Sequence, residues 1–106
     1  MNEFVAIRSS DFWVKIVAML QQNWAVIEPD DIDAIRIYFI DDVGGVFDEI
    51  PFSSKQVASD ALARNGFRRF LDHPDLQSFL RPPSQLFRRT AHPNGPIYSS
   101  GRFWRP

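Results

Sequence analysis

The sequence predicts a small α+β domain, and three local patterns carry that prediction. An apolar run from Phe12 to Leu20 has helical spacing, whereas Ile35 to Ile40 alternates its side chains as a strand does. Helix-capping residues frame a second helical segment at residues 54–64. Together they predict a three-stranded antiparallel meander with two helices packed on one of its faces.

The first predicted helix covers roughly residues 11–22. Ser9, Ser10 and Asp11 are good N-cap residues, and the apolar side chains after them recur at i, i+1, i+4, i+5 and i+8. Further apolar residues inside the run widen the stripe, which indicates that this helix is covered from two sides.

Three strands are predicted near residues 24–28, 34–41 and 46–51, with Phe4–Ile7 as an optional fourth strand at the edge. The turn before the third strand contains Gly44 and Gly45, which can adopt positive φ without steric cost. This chemistry predicts a hairpin between the second and third strands.

The second predicted helix spans about residues 54–64. Ser53 and Gln56 match a capping box, in which each side chain satisfies a backbone N–H group of the other residue. Asn65 and Gly66 have the residue types of a C-cap and a left-handed C′ position. The two ends therefore define this helix better than its apolar face does.

A short third helix is predicted near residues 74–80, because Pro74 suits a first helical position and Pro82-Pro83 stops the helix. The prolines and aromatics beyond it predict an extended Pro/Arg-rich segment lying on the domain. The predicted division is a compact domain at residues 1–80 and an extended segment at residues 81–106.

Charge is distributed unevenly along the 106 residues. Residues 1–63 contain eleven acidic and four basic residues, whereas residues 64–106 contain eight arginines and two aspartates, so net charges of −7 and +6 give −1 overall. Such asymmetry indicates a charged partner. There is no cysteine, and neither a leader nor a membrane-spanning pattern is recognised, so we expect a cytoplasmic protein without membrane contact.

Catalytic motifs are not recognisable in this sequence. The two histidines, His73 and His92, each precede a proline and have no metal-ligand spacing. The aspartates at 30, 31, 33, 41 and 42 suggest either a weak divalent-cation site or solvated acidic loops, and the second interpretation fits their spacing better. We expect no catalytic residue, no metal and no cofactor.

The arginines of the second half, with their aromatic neighbours, are the candidate binding residues, because guanidinium groups pair with phosphate or carboxylate and stack on rings. They are Arg68, Arg69, Arg81, Phe87, Arg88, Arg89, Tyr98, Arg102 and Trp104. One interpretation is that they contact RNA or single-stranded nucleic acid. The other is that they pair with the acidic residues of their own domain.

The predicted order of helix, three strands and helix resembles the layout of double-stranded-RNA-binding-like folds, including small mRNA interferase toxins. No histidine precedes His73, so the strand histidine of those toxins has no counterpart. The apolar and aromatic surplus instead favours a non-enzymatic accessory module that binds a protein partner or itself, for example as a homodimer. Nucleic-acid binding through the arginine-rich region is the alternative.

Overall fold

The computed structural model describes residues 4–5, 7–16, 22–29, 35–41, 44–78, 80–82 and 87–90 of the chain. Sheet is the predominant secondary structure of these residues, and the strands of this one sheet are β1 Phe4–Val5, β2 Phe12–Ile16, β3 Gln22–Pro29, β4 Ile35–Ile40, β5 Gly45–Phe52, β6 Arg68–Arg69 and β7 Phe87–Arg89. The helices are α1 Lys55–Arg64, a 3-10 turn at Phe70–Asp72 and α2 Pro74–Gln77.

The sheet is mixed, with the strand order β1-β7-β5-β4-β3-β2-β6. Its centre is an antiparallel meander of β2 to β5. The pairing of β5 with β7 is parallel, whereas β1 and β6 pair antiparallel with β7 and β2. Two edge strands of only two residues each therefore end the described sheet.

The predicted three-stranded meander with two helices on one face is wrong, because the chain is mostly sheet. Residues 12–16, predicted as part of the first helix, form strand β2 and pair with β3 from Phe12↔Val26 to Ile16↔Gln22. The remainder of that predicted helix up to residue 21 lies outside the described residues. The helix, strands, helix order behind the resemblance to RNA-binding folds is thus not found.

The reason for the error is that β2 is buried on both faces of the sheet. Val14 packs in the cluster on one face, and its neighbour Trp13 packs in the cluster on the other. A strand covered on both sides has a continuous apolar run without alternation, which can also be read as a wide helical stripe. Phe, Trp, Val and Ile are moreover typical strand residues.

Two apolar clusters lie on opposite faces of the sheet. The front-face cluster comprises Val5, Val14, Trp24, Val26, Ile40, Val46, Phe70, Leu76, Leu80 and Phe87. The back-face cluster comprises Trp13, Ala25, Ile27, Ile37, Phe39, Phe47, Ala58, Leu62 and Phe67. Helix α1 covers the back face, and the 3-10 turn with α2 covers the front face. The two described helices therefore lie on opposite faces of the sheet.

The central strands lie close to their predicted positions, and each is up to two residues longer or shorter at its ends. Strand β4 alternates as expected, since Ile37 and Phe39 lie in the back-face cluster while Tyr38 packs against the front-face cluster. Its register with β5 shifts between Phe39 and Ile40. That bulge places both Phe47 and Ile50 on the back face.

The turn into β5 depends on its glycines. Gly44 has a φ of 89°, a conformation that side chains rarely tolerate. Asp41 closes the turn, because its Oδ1 accepts from the Gly45 N–H at 2.7 Å and its own N–H donates to the Gly45 carbonyl at 2.9 Å. A Cβ at Gly45 would lie 2.5 Å from Asp41 Oδ2, so a larger residue there would displace the carboxylate that closes the turn.

The N-cap of helix α1 lies one residue later than predicted. Ser54 is the N-cap, and its hydroxyl accepts from the Val57 N–H at 3.2 Å. The predicted capping box between Ser53 and Gln56 is therefore wrong, and the Gln56 side chain donates instead to Asp60 at 2.8 Å. Ser53 and Ser54 are adjacent and each lies three residues before an N–H group that it could cap, so the sequence alone did not distinguish the two N-cap positions.

The carboxyl end of α1 has the predicted Schellman geometry. Gly66, with a φ of 89°, donates to the Ala63 carbonyl at 3.2 Å, and Phe67 donates to the Leu62 carbonyl at 3.0 Å. Leu62 and Phe67 both belong to the back-face cluster. The prediction of Asn65 as C-cap and Gly66 as the left-handed residue is confirmed.

Helix α2 starts at Pro74 as predicted and ends at Gln77, earlier than the expected residue 80. Residues 87–89 of the predicted surface segment form β7, between β1 and β5 of the sheet. The division into residues 1–80 and 81–106 stays a prediction, since 83–86 and 91–106 lie outside the described residues. In the part of the chain that the structure describes, no helix is long and apolar enough to cross a membrane.

Candidate binding groove

The front face of the sheet carries an open groove of about 580 Å³. Its apolar lining consists of Ile7, Phe12, Phe70, Leu71, Pro82 and Phe87. Ser9, Ser10 and Arg81 supply its polar atoms. The groove thus lies between the segment before β2, the 3-10 turn, residues 81–82 and the start of β7.

Two aromatic rings of the groove are fixed by the tryptophan beneath them. Trp24 is fully buried, and its ring lies 6.2 Å from that of Phe12 and 5.5 Å from that of Phe70. The Phe12 contact is edge-on, a favourable arrangement for aromatic pairs. The groove lining is therefore anchored to the core of the sheet.

The segment before β2 is held over the sheet by hydrogen bonds to its backbone. Glu28 Oε1, at the end of β3, accepts from the N–H groups of Arg8 and Ser9 at 3.0 and 2.9 Å. The Ser9 hydroxyl accepts from the Asp11 N–H at 3.0 Å, which turns the chain into β2. Ser10 is exposed and borders the groove.

Leu71 is the apolar side chain that stands out at the rim of the groove. It is 53% exposed, whereas its neighbour Phe70 is buried in the front-face cluster. The 3-10 turn that carries both is held by Gln77, whose side-chain amide donates to the carbonyls of Phe70 and Leu71 at 3.0 and 3.2 Å. Leu71 is therefore presented outward by an ordered turn.

Arg81 lines the groove, and its guanidinium group is held by hydrogen bonds on one side. Nη1 donates to the carbonyl oxygens of Gln77 and Leu80, both at 2.9 Å. Its Nε and Nη2 groups have no hydrogen-bond acceptor among the described residues, and no described carboxylate forms an ion pair with it. The arginine therefore keeps its outer edge available.

The other described candidate arginines lie towards opposite edges of the sheet. Arg68 and Arg69 lie on β6 at one edge of the sheet, whereas Arg88 and Arg89 lie on β7, next to the last strand at the other edge. The described chain thus separates the arginines into two groups. Tyr98, Arg102 and Trp104 lie outside the described residues.

Several of these arginines pair with carboxylates of their own chain. Arg69 Nε donates to Asp11 Oδ1 at 2.8 Å and Arg69 Nη1 to Asp72 at 3.2 Å, while Arg68 lies 3.4 Å from Asp75. The hydrogen bond to Asp11 raises the pKa of Arg69 further above its usual value. Of these carboxylates, Asp11 belongs to the acidic half at residues 1–63, whereas Asp72 and Asp75 belong to the arginine-rich half.

Glu49 holds two more guanidinium groups, on the front side of β5. It accepts from Arg36 Nη1 at 2.6 Å and from Arg89 Nη1. Burial alone would raise the pKa of Glu49, but the hydrogen bonds and charges of the two arginines outweigh it, so its pKa lies below its usual value. Burial, and then the Glu49 charge, raise the pKa of the adjacent Tyr38.

When Glu49 is replaced with glutamine, the free energy of unfolding should decrease less steeply as the pH is lowered. A carboxylate with a lowered folded-state pKa contributes stability above its unfolded value near 4.5, and this contribution disappears as the pH falls through the folded-state pKa. Urea unfolding between about pH 7 and 3 measures the effect. Asp60→Asn removes an exposed carboxylate of α1 and is the control. A pH dependence that Glu49→Gln does not flatten more than this control would contradict the assignment.

Of the residues that line the groove, Arg81 and Phe87 are candidate binding residues predicted from the sequence, and the others were not predicted as such. Phe87 is buried and lines the groove from β7. Phe12 had been assigned to a helix, and the adjacent Phe70 and Leu71 had not been singled out. The sequence feature that could have indicated the groove is the apolar pair Phe70-Leu71, which lies between Arg68-Arg69 and Asp72-His73.

Metal coordination has no arranged ligand set in the described residues. No three histidine, aspartate or glutamate side chains converge there. Of the aspartates considered from the sequence, Asp41 is described, and it closes the turn into β5. The others lie outside the described residues.

Comparisons with protein-family models, with curated proteins and with solved structures gave no match for this chain.

Proposed function

We propose that this chain is a small non-enzymatic interaction module that holds a segment of a protein partner in the groove. The observation that carries the proposal is the exposed Leu71 beside a concave surface lined by aromatic rings. Exposed apolar side chains next to a rigid cavity are typical of recognition sites rather than of ordinary protein surface.

The dimensions and rigidity of the groove support this function. Its 580 Å³ falls within the range of about 300–1,000 Å³ that is usual for ligand clefts. Trp24 fixes Phe12 and Phe70, so little side-chain ordering is needed when a partner binds. Covering the exposed half of Leu71 would itself contribute about 1 kcal/mol.

The other exposed large apolar residues of the described chain lie elsewhere. Ile16 is 38% exposed at the end of β2 and borders a smaller hollow of about 160 Å³. Val57 is 46% exposed in the first turn of α1, the helix of the back face. Single exposed apolar residues of this kind are ordinary. Leu71 differs because it adjoins the larger groove.

The pairing of the arginines favours a protein partner over nucleic acid. Phosphate binding needs several guanidinium groups that are free to replace counterions. Arg68, Arg69 and Arg89 each pair with a carboxylate of this chain. A nucleic acid would have to compete with those carboxylates, whereas a protein segment in the groove would leave the ion pairs intact.

The proposal is tested by Leu71→Asn in the full chain, with Val57→Thr as the matched control. Each change replaces an exposed apolar side chain with a polar one of similar size, but only Leu71 lines the groove. Quantitative mass spectrometry of affinity captures from nuclease-treated native lysate should identify a protein retained by the parent and by Val57→Thr. Its recovery by Leu71→Asn should fall at least about tenfold, a difference of about 1.4 kcal/mol.

Equal recovery by both variants would contradict the assignment to the groove. Sedimentation of the purified chain provides the second measurement. A dimer that Leu71→Asn dissociates would mean that the groove binds a second copy, and the proposed heterologous partner would then be wrong. Loss of all captured protein after nuclease treatment would instead support nucleic-acid binding.

A further inference from the structure

We propose that Arg81 is a carboxylate-binding residue and that the groove takes a protein segment in which a bulky apolar side chain adjoins an acidic residue. This inference rests on the proposed function and specifies the partner's chemistry. Its basis is the combination, in one groove, of an apolar lining and a guanidinium group without a carboxylate partner in the described chain.

The orientation of Arg81 carries the first step. A guanidinium group has five N–H donors, and the edge formed by Nε and Nη2 presents two of them in parallel. The two described hydrogen bonds of Arg81 both use Nη1, on carbonyl oxygens of Gln77 and Leu80. The Nε and Nη2 edge therefore stays available for a bidentate pair with a carboxylate.

The acceptors of Arg81 explain why its charge is not neutralised. Gln77 and Leu80 contribute neutral carbonyl groups, which hold the side chain in place but do not compensate its positive charge. Arg69 and Arg89, in contrast, each bond a carboxylate. Among the candidate arginines with fully described contacts, Arg81 is the one fixed by carbonyl groups alone.

The apolar lining determines the remainder of the ligand. Phe12, Phe70 and Leu71 offer an apolar surface next to the Arg81 charge. An ion pair beside such a surface is less screened by water than one on an open surface. A segment with a leucine or phenylalanine adjacent to an aspartate or glutamate would satisfy both features at once.

The test uses fluorescein-labelled, C-terminally amidated peptides of the sequence Gly-Ser-Leu-Phe-Asp-Leu-Ser-Gly, with twins carrying Asn or Lys in place of Asp. Fluorescence anisotropy with the full chain should give binding of the Asp peptide that is about tenfold tighter than that of the Asn twin, because a charge-assisted bidentate pair is lost. The Lys twin should bind more weakly than the Asn twin.

Variants of Arg81 test whether this side chain distinguishes the Asp peptide from the Asn twin. Arg81→Gln should weaken the Asp peptide about tenfold and leave the Asn twin unchanged, so that the two bind alike. Arg81→Lys, which keeps the charge and loses the parallel donors, should give an intermediate affinity. Arg64→Gln, a change at an exposed arginine at the end of α1, is the control and should bind as the parent does. Thermal unfolding of each variant confirms that it is folded.

Each contrary result overturns the inference. These results are an Asp peptide that does not bind at millimolar concentration, equal binding of the Asp and Asn peptides, or an Arg81→Gln effect of the same size on both. A single-stranded oligonucleotide whose binding depends on Arg81 would also overturn it. If Leu71→Asn loses the captured partner while Arg81→Gln retains it and the peptides are not distinguished, this inference fails and the proposed function stands.

Discussion

Replacing Trp24 with alanine is expected to lower the free energy of unfolding by about 3–5 kcal/mol, as truncation of large buried aromatic side chains does. Trp24 is fully buried in the centre of β3. Its ring supports both Phe12 and Phe70, so its loss removes contacts from two elements at once. The total free energy of unfolding of a native domain is about 5–15 kcal/mol, so this change removes a large share of it.

Urea unfolding monitored by far-ultraviolet circular dichroism measures the loss. Trp24→Phe retains most of the ring contacts and should cost clearly less than the alanine variant, which keeps the comparison informative if Trp24→Ala does not fold. Val57→Ala removes methyl groups from a half-exposed side chain and should be nearly neutral, within about 0.5 kcal/mol. A similar loss for Trp24→Ala and Val57→Ala would contradict the described core.

Arg69→Leu is expected to cost about 2–4 kcal/mol, because it leaves a largely buried carboxylate with a poor partner. The side chain of Asp11 is 10% exposed, and its Oδ1 accepts from Arg69 Nε at 2.8 Å. Its Oδ2 lies 3.7 Å from Lys55 Nζ, too far for a good hydrogen bond. Partial exposure of Arg69 keeps the expected loss below that of a fully buried pair.

Arg68→Leu is the matched control on the adjacent residue of β6. Arg68 pairs with Asp75 at 3.4 Å, and the two side chains are 48% and 64% exposed. Exposed pairs of this kind contribute about 0–1 kcal/mol. Denaturant unfolding should therefore separate the two variants clearly, and an equal loss in both would show that Asp11 and Arg69 are not coupled as described.

The parts of the fold that the sequence predicted well are those determined by local chemistry. Ile37 and Phe39 alternate with Tyr38 in β4, and Gly66 terminates α1 by adopting a conformation that other residues rarely take. Pro74 begins α2 for a similarly local reason, since its missing N–H is not needed in the first turn.

The parts that failed depend on neighbours distant in the sequence. Trp13 and Val14 belong to a strand because β3 and β6 flank them and both faces of the sheet are covered. Strand β7 pairs in parallel with β5 through Arg88 and Arg89, and no turn residues in the sequence indicate this pairing. A continuous apolar run fits either an amphipathic helix or a strand buried on both faces, so only its tertiary contacts determine which of the two it forms.

The candidate site shows the same division. Arg81 could be identified from composition, but its carbonyl partners Gln77 and Leu80 follow from how α2 ends. Leu71 is exposed because the 3-10 turn places Phe70 inward. The groove combines residues from 7–12 with Phe70, Leu71, Arg81, Pro82 and Phe87, which are too distant in the sequence to be grouped by proximity.

Site-specific photocrosslinking tests the groove as the docking surface most directly. A benzophenone amino acid is placed at position 71 in one full-length chain and at position 57 in another, each expressed in its native cells and irradiated. We expect a discrete adduct with one heterologous protein from position 71, absent from position 57 and abolished by Phe12→Asp. Equal adducts from both positions, or no adduct from position 71, would contradict it.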